Sequence, residues 1–358
     1  MTDASGEAEV LVEQRGRLGL LTLNRPKAIN ALTRGMVATI RAALHRWADH
    51  DAIATVAVIG AGDRGLCAGG DVVGLYRDVT ESDGLGAAAF WRDEYTMNAR
   101  IAEYPKPFVA IQDGIVLGGG IGVSAHGSHR VVTERSKLGF PEVTIGYIPD
   151  VGATWLLSHA PGELGTRLAL TAANVGPADA ILLGLSDHFV PSDRIPTLLT
   201  ALETEDPTSA IALLAADPEP GILAAQQDWT DAAFSASTVP EILGRLRLTG
   251  TAEAAALAEG MALKSPTALA VTLESLRQAR QLTSLRAALD QEYRVSRHSS
   301  MTADFAEGIR AQLVDKDRKP KWNPTDHADV SPVEVSAFFQ TPSDGDLGLS
   351  TAVSKETA

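Results

Sequence analysis

The sequence predicts an α/β core over roughly residues 9–200, followed by a largely helical region over 201–340. Three observations carry this. Short β-rich runs alternate with helical spacing in the first part of the chain. Helical spacing takes over in the later part, in segments separated by Pro207, Pro218, Pro240 and Pro266. Two glycine-rich stretches, Leu66-Cys67-Ala68-Gly69-Gly70-Asp71 and Leu117-Gly118-Gly119-Gly120-Ile121-Gly122, each follow a run that reads as a buried strand.

Taken in order, Val10 to Gln14 and Leu18 to Leu23 read as two strands joined around Arg15-Gly16, which predicts a hairpin. Met36, Ile40, Leu44 and Trp47 recur at helical spacing between Thr33 and Ala48, with Thr33 placed to cap the helix. Thr55 to Ile59, Phe108 to Ile111 and Val131 to Thr133 are further strands. The helical segments that follow are Ser209 to Ala216, Thr238 to Leu248, Ala252 to Leu263, Ala268 to Gln278 and Leu285 to Ser296. Residues 341–358, rich in Ser, Asp, Gly and Thr, have little to bury and are expected to be loosely ordered.

A chain of 358 residues that is 45% hydrophobic can bury one large core or two modest ones. A formal charge of −14 and a pI near 5.0 exclude a nucleic-acid surface, which needs a basic stripe to neutralise phosphates. The single cysteine, Cys67, cannot form an internal disulfide and fits a reducing compartment. Residues 1–8 are acidic and polar and are expected to be flexible, with no basic segment leading into an apolar one. No apolar run approaches the ~20 residues of a membrane helix. The expectation is a soluble, cytoplasmic protein with no nucleic-acid or membrane partner.

Glycine lets main chain approach a ligand closely, and exposed N–H groups converging on a carbonyl oxygen form an oxyanion hole. Two such loops following two strands suggest a shared grip. Gly60-Ala61-Gly62-Asp63-Arg64-Gly65 fits a dinucleotide pattern, with Glu81 downstream. That pattern needs a helix starting inside it, whereas here Cys67-Ala68-Gly69-Gly70 continues irregular backbone. Ser124 lacks the second glycine of a nucleophile elbow, and His126 and His129 have no carboxylate or cysteine completing a metal set. No metal is expected, and Cys67 reads as a packing residue. Between Phe140 and Gly152 two acids, Glu142 and Asp150, stand among apolar residues that would otherwise belong in a core, and buried carboxylates are costly. Pro141, Gly146 and Pro149 rule out a continuous helix joining them, so any proximity must come from the fold.

Asn24-Arg25-Pro26-Lys27-Ala28-Ile29-Asn30-Ala31-Leu32, Cys67 to Asp71, Gly118 to Gly122 and Pro141-Glu142 together resemble the enoyl-CoA hydratase/isomerase (crotonase) superfamily in order and spacing. The resemblance implies a spiral of repeated ββα turns, an acyl-CoA substrate, no separate cofactor since CoA is part of the substrate, and assembly as trimers or hexamers. It implies that the N–H groups of Ala68 and Gly119 form the oxyanion hole, that Gly69, Gly70, Asp71, Gly118 and Gly120 line the substrate, and that Arg25, Lys27 and Ala28 lie at the CoA moiety. Hydratases of the superfamily carry a glutamate where this chain has Gly122, and usually glycine where it has Asp150. Glu142 with Asp150, Asp93-Glu94-Tyr95, Glu292-Tyr293-Arg294 and the run from Phe305 to Asp317 resemble the 3-hydroxyisobutyryl-CoA hydrolase subgroup. The expected reaction is thioester hydrolysis in valine degradation. Glu142 would act as nucleophile or general base, Asp150 would orient it or receive the substrate hydroxyl, and Glu94 would line the acyl pocket. Lys316 and Lys319, with Arg318 and Lys321, would add cations for the CoA phosphates. The alternatives are a hydratase or isomerase using Glu142 and Asp150, or a non-catalytic acyl-CoA-binding subunit.

Overall fold

The computed structural model describes residues 8–351. The chain divides into two compact units that interleave along the sequence. The first comprises the chain up to Asp71, Asp93–Gly139 and Asn174–Gly221; the second comprises Val72–Arg92, Phe140–Ala173 and the chain from Ile222 onward.

The first unit is built on a six-stranded sheet and a three-stranded one. The large sheet contains β1 (Val10–Arg15), β2 (Leu18–Leu23), β3 (Thr55–Gly60), β4 (Phe108–Gln112), β6 (His129–Val132) and β9 (His188–Phe189), in that order. β5 (Ile115–Leu117), β7 (Lys137–Gly139) and β8 (Asn174–Val175) form the small sheet. β1 and β2 are the expected antiparallel hairpin, and β2, β3, β4, β6 and β9 are mutually parallel. β2 is buried along its whole length, which explains why its sequence is apolar but for Thr22 rather than alternating.

From β4 to β7 successive strands alternate between the two sheets. β4 is followed by β5 and the short helix Gly119–Gly122, and β6 is followed by β7. After β3, the bridges Gly65 to Gly114 and Cys67 to Val116 add the first glycine-rich stretch beside β5. This repetition is the ββα spiral that the sequence resemblance implied. Leu18, Leu20, Ala57, Val109, Ile111 and Val131 pack with Leu198, Leu202 and Ile211 of two later helices to form its core.

The second unit is mostly helical. Its core gathers Val143, Leu170, Phe234, Ile242, Leu246, Met261, Leu269 and Leu273. Thr238, Thr251, Ser265, Ser284 and Thr302 each cap a helix by accepting an N–H three residues on, worth about 1 kcal/mol apiece. Pro240 and Pro266 open helices rather than merely separating them, because the first turn needs no N–H donor.

One expectation is corrected here. Residues 341–351 are pinned to the helix Leu285–Ser299: Asp346 pairs with Arg294, Asp344 with Arg297, and Asp290 accepts the N–H groups of Leu349 and Ser350 at 2.8 and 2.9 Å. A polar tail with little to bury is held by charge and hydrogen bonding instead. Residues 1–7 and 352–358 lie outside the described residues.

Candidate active site

In the first unit the two glycine loops meet. Gly118 takes φ 47° and ψ −116° to turn the chain from β5 into the helix Gly119–Gly122, whose Ile121 and Gly122 N–H groups return to the Gly118 carbonyl. Gly119 begins that helix, so its N–H has no intrahelical acceptor. On the other loop, Leu32 donates to the Gly69 carbonyl and accepts from the Asp71 N–H, both at 2.8 Å. This parallel pairing turns the N–H of the intervening Gly70 to the opposite edge. Neither the Gly70 nor the Gly119 N–H finds an acceptor among the described residues.

The loops are close enough that a Cβ on Gly119 would lie 3.3 Å from the Gly70 nitrogen and 2.7 Å from Glu94 Oε1. Glu94, 2% exposed, thus abuts the corner. Ala68 is different. Its N–H donates to the Ile29 carbonyl at 2.9 Å, so the donor expected to face a ligand is already engaged, and Gly70 holds the open N–H on that loop. Gly69 and Gly120 complete the corner; a Cβ on Gly120 would strike the Cys67 carbonyl at 2.3 Å.

Arg25 is largely committed to the fold. Its guanidinium donates to the Ala31 carbonyl at 2.6 Å and pairs with Glu9 and Asp71 at 3.3 and 3.4 Å, so most of its charge is offset. Lys27 and Ala28 are exposed on the turn Pro26–Ala28, which Arg64 fixes by donating to the Pro26 and Lys27 carbonyls. Buried Asn30, with no assigned role in the sequence reading, binds the Ala61 and Gly65 carbonyls and accepts from the Arg25 N–H. In the second unit Lys316 and Lys319 are exposed, on a loop that Arg310 secures through Glu307, Asp315 and Asp317.

The second unit also holds the acids. Glu142 opens the 3-10 turn Glu142–Ile145 and is 7% exposed. Asp150, 6% exposed, lies beyond Pro149 with no helix joining the two. The Tyr147 hydroxyl is 3.1 Å from Asp150 Oδ2 and 2.5 Å from Ser296 Oγ. Having one proton, it donates to the carboxylate and accepts from the serine. The Tyr147 ring is fixed by stacking on Trp91 and by Phe305.

The turn after Asp150 is strained. Val151 has φ 58° and Gly152 φ 83°. A β-branched residue in the left-handed region costs about 1–3 kcal/mol and persists only where its surroundings over-determine it. Glu292 provides that constraint: it accepts the Gly152 N–H at 2.6 Å and the N–H and hydroxyl of Thr154 at 2.9 and 2.5 Å. Burial pushes the Glu292 carboxyl up to about 8; the Thr154 and Gly152 donors oppose this and the Asp150 charge adds to it. The sequence reading noted Glu292 only within a three-residue string. The stronger signal was an acid in line with Ala288 and Leu289 on the buried face of a helix.

The other candidates fall to packing. Burial raises the Cys67 thiol to about 12, far from a nucleophile's range. Ser124 donates to the Gly120 carbonyl and accepts from Gln112, while His129 sits between Ser128 and Thr208. The chain from Ala61 to Asp71 contains no helix, which removes the dinucleotide reading. Among the described residues no group of three or more His, Cys, Asp or Glu is arranged for a metal ion, and no helix is long and apolar enough to cross a membrane.

A ββα spiral bearing main-chain donors at a glycine corner belongs to the crotonase class of fold. The chain belongs to the enoyl-CoA hydratase/isomerase family, whose model matches residues 18–339. It is 38% identical over 361 residues to the mitochondrial 3-hydroxyisobutyryl-CoA hydrolase of Danio rerio, spanning 98% of this chain and 94% of that one. It is also similar to a solved structure described as a carnitinyl-CoA dehydratase from Mycobacterium thermoresistibile, with 50% identity, a TM-score of 0.92, and 95% and 98% of the two chains covered. A structure described as an enoyl-CoA hydratase from Rhodobacter sphaeroides matches at 42% identity and a TM-score of 0.90, covering 95% and 99%. The cytoplasmic expectation does not stand: the Danio rerio relative is described as mitochondrial, and one unpaired cysteine does not separate one reducing compartment from another.

Proposed function

We propose that the protein hydrolyses the thioester of a short 3-hydroxyacyl-CoA, 3-hydroxyisobutyryl-CoA foremost, to the free hydroxy acid and CoA. The observation that carries this reading is the acid inventory. Glu142 and Asp150 are both buried, Asp150 is oriented by Tyr147, and position 122 is a glycine with no side chain to supply a second hydratase acid. Adding water across a double bond asks for one group to activate water and another to deliver a proton. Hydrolysis asks for a nucleophile or base and a donor set for the carbonyl oxygen. The curated relative from Danio rerio, a hydrolase, supports the same reading.

In this reaction the thioester oxygen takes the N–H groups of Gly70 and Gly119 as negative charge develops on it. Glu142 either attacks the carbonyl carbon, expelling the CoA thiolate and leaving a mixed anhydride that water opens, or takes a proton from the water that attacks directly. Either route consumes one water and needs no cofactor. Asp150 receives the substrate hydroxyl, and a site built to bind a hydroxyl rejects the analogue lacking it by ~10⁴ or more. Glu94 bounds the acyl group. Lys27, Lys316 and Lys319 meet the CoA phosphates; Arg25, already paired, supports the loop. This activity suits valine degradation, and we propose a trimer or hexamer as its working state.

The dehydratase and hydratase descriptions of the two solved structures favour a second reading, in which Asp150 serves as the missing hydratase acid. A thiol-release assay over acyl-CoAs with and without a 3-hydroxyl, run beside crotonyl-CoA hydration, separates the two. The expected result is thiol release, fastest with 3-hydroxyisobutyryl-CoA. Hydration without thiol release from any substrate overturns the hydrolase.

A further inference from the structure

We infer that Glu292 is a positioning residue for Asp150. It locks the strained turn Asp150–Gly152 through hydrogen bonds to Gly152 and Thr154, while Ser296, one helical turn further along, steadies the Asp150 carboxylate through Tyr147. The inference rests on the role proposed for Asp150 above.

The helix Ala153–Ser158 starts with Gly152 at its cap position, and glycine has no side chain to receive the first N–H groups. Glu292 supplies the cap from another helix. Its Oε2 takes the Gly152 N–H and its Oε1 takes both the N–H and the hydroxyl of Thr154. All three donors belong to the two residues that flank Ala153, immediately beyond the left-handed Val151. The Ala153 N–H closes back on the Asp150 carbonyl at 2.9 Å, so the grip on this end of the helix fixes where the Asp150 backbone lies.

The second hold comes from the same face of the same helix. Glu292 and Ser296 are four residues apart on Leu285–Ser299 and therefore neighbours on its surface. Ser296 Oγ stands 2.5 Å from the Tyr147 hydroxyl, which in turn reaches Asp150 Oδ2. Backbone and side chain of Asp150 are thus both set by a rigid element, the arrangement expected when a functional carboxylate must hold its place. Glu292, Thr154 and Ser296 are fully buried, and none is assigned contact with the substrate.

Above about pH 8 Glu292 is ionised and all three donors meet acceptor oxygens. There Glu292→Gln keeps the shape but turns an N–H₂ toward one of the three donors, loosening the turn, and the kinetics are therefore read at that pH. The test is a double-mutant cycle with Asp150→Asn, measured as kcat/KM for 3-hydroxyisobutyryl-CoA and for the analogue lacking the hydroxyl. Misplacing a substrate-positioning group by about 1 Å costs on the order of 10²-fold, so Glu292→Gln is expected to lower kcat/KM by about 10- to 100-fold for 3-hydroxyisobutyryl-CoA, with the analogue lacking the hydroxyl changed less than about 3-fold. Because Glu292 acts through Asp150, adding Glu292→Gln to Asp150→Asn should cost less than about 3-fold more; independent effects would multiply. Thr154→Val, which removes only the hydroxyl donor, runs the same cycle should Glu292→Gln fold poorly, with a smaller loss expected. If Asp150→Asn retains full turnover, the role of Asp150 falls and the positioning falls with it. If Asp150→Asn is impaired while Glu292→Gln and Thr154→Val match the parent, or if the losses multiply, only the positioning is overturned.

Discussion

Gly119→Ala tests the carbonyl grip most directly. The added methyl would sit 2.7 Å from Glu94 Oε1 and 3.3 Å from the Gly70 nitrogen. Ordinary contact begins at 3.4 Å, so the Glu94 carboxylate or the Gly119 backbone must move by about 0.7 Å. Glu94 presents the end of a flexible side chain, whereas the Gly70 nitrogen is backbone, so part of the movement falls on the donors themselves. Losing or misaiming one oxyanion donor costs about 10²–10³ in kcat, or ~3–4 kcal/mol of transition-state stabilisation. Folding should survive, because Gly119 opens a helix in an ordinary conformation and alanine is the better helix former by up to ~1 kcal/mol. The expected outcome by thiol-release kinetics is kcat down about 100-fold with a nearly unchanged melting temperature. A variant within threefold of the parent in kcat would refute the assignment of Gly119 as a donor.

Three further outcomes are expected. Glu142→Gln should lower turnover by about 10²–10⁴ or more while leaving CoA binding by calorimetry intact, and substantial residual hydrolysis would count against either role for Glu142. Cys67, buried with its thiol raised to about 12, should resist iodoacetamide in the native protein at pH 8 and react on unfolding; rapid native labelling would contradict that burial. Glu292 should make stability pH-dependent: its folded value of about 8 lies above the ordinary 4.5, so its contribution is fully present below 4.5 and is lost as pH rises to about 8, where only the unfolded chain has released the proton. Urea unfolding at several pH values should show the parent losing stability relative to Glu292→Gln across that window, and parallel curves would show that Glu292 does not titrate there.

Much of the fold was legible because local rules and the tertiary structure agree. The hairpin turning near Arg15-Gly16, the largely apolar run of β2 and the Thr33 cap that accepts the Met36 N–H all appear where the sequence places them. The later helices match within a few residues, since Thr238, Thr251 and Ser284 mark their starts by their own chemistry. Glu142 and Asp150 were legible as acids at positions where charge is expensive, Glu94 only through the family resemblance, and all three prove buried. The polar tail misled because composition records what a segment can bury, not which arginines wait for it; Asp344 and Asp346 meet Arg297 and Arg294.

The sequence by itself determined many of the elements and the costly acids, which rest on periodicity, caps and residue type, and the family through the motifs it resembles. It located two glycine loops but not which N–H each leaves open. That depends on pairing partners distant in the chain: Ile29 takes the Ala68 donor and Leu32 turns the Gly70 donor outward. Likewise no local rule connects Gly152 to a cap 140 residues away, and only the packed helix bearing Glu292 and Ser296 decides how Asp150 is held. Hydrogen-bond direction is a property of two strands or two helices together, and so belongs to the tertiary structure alone.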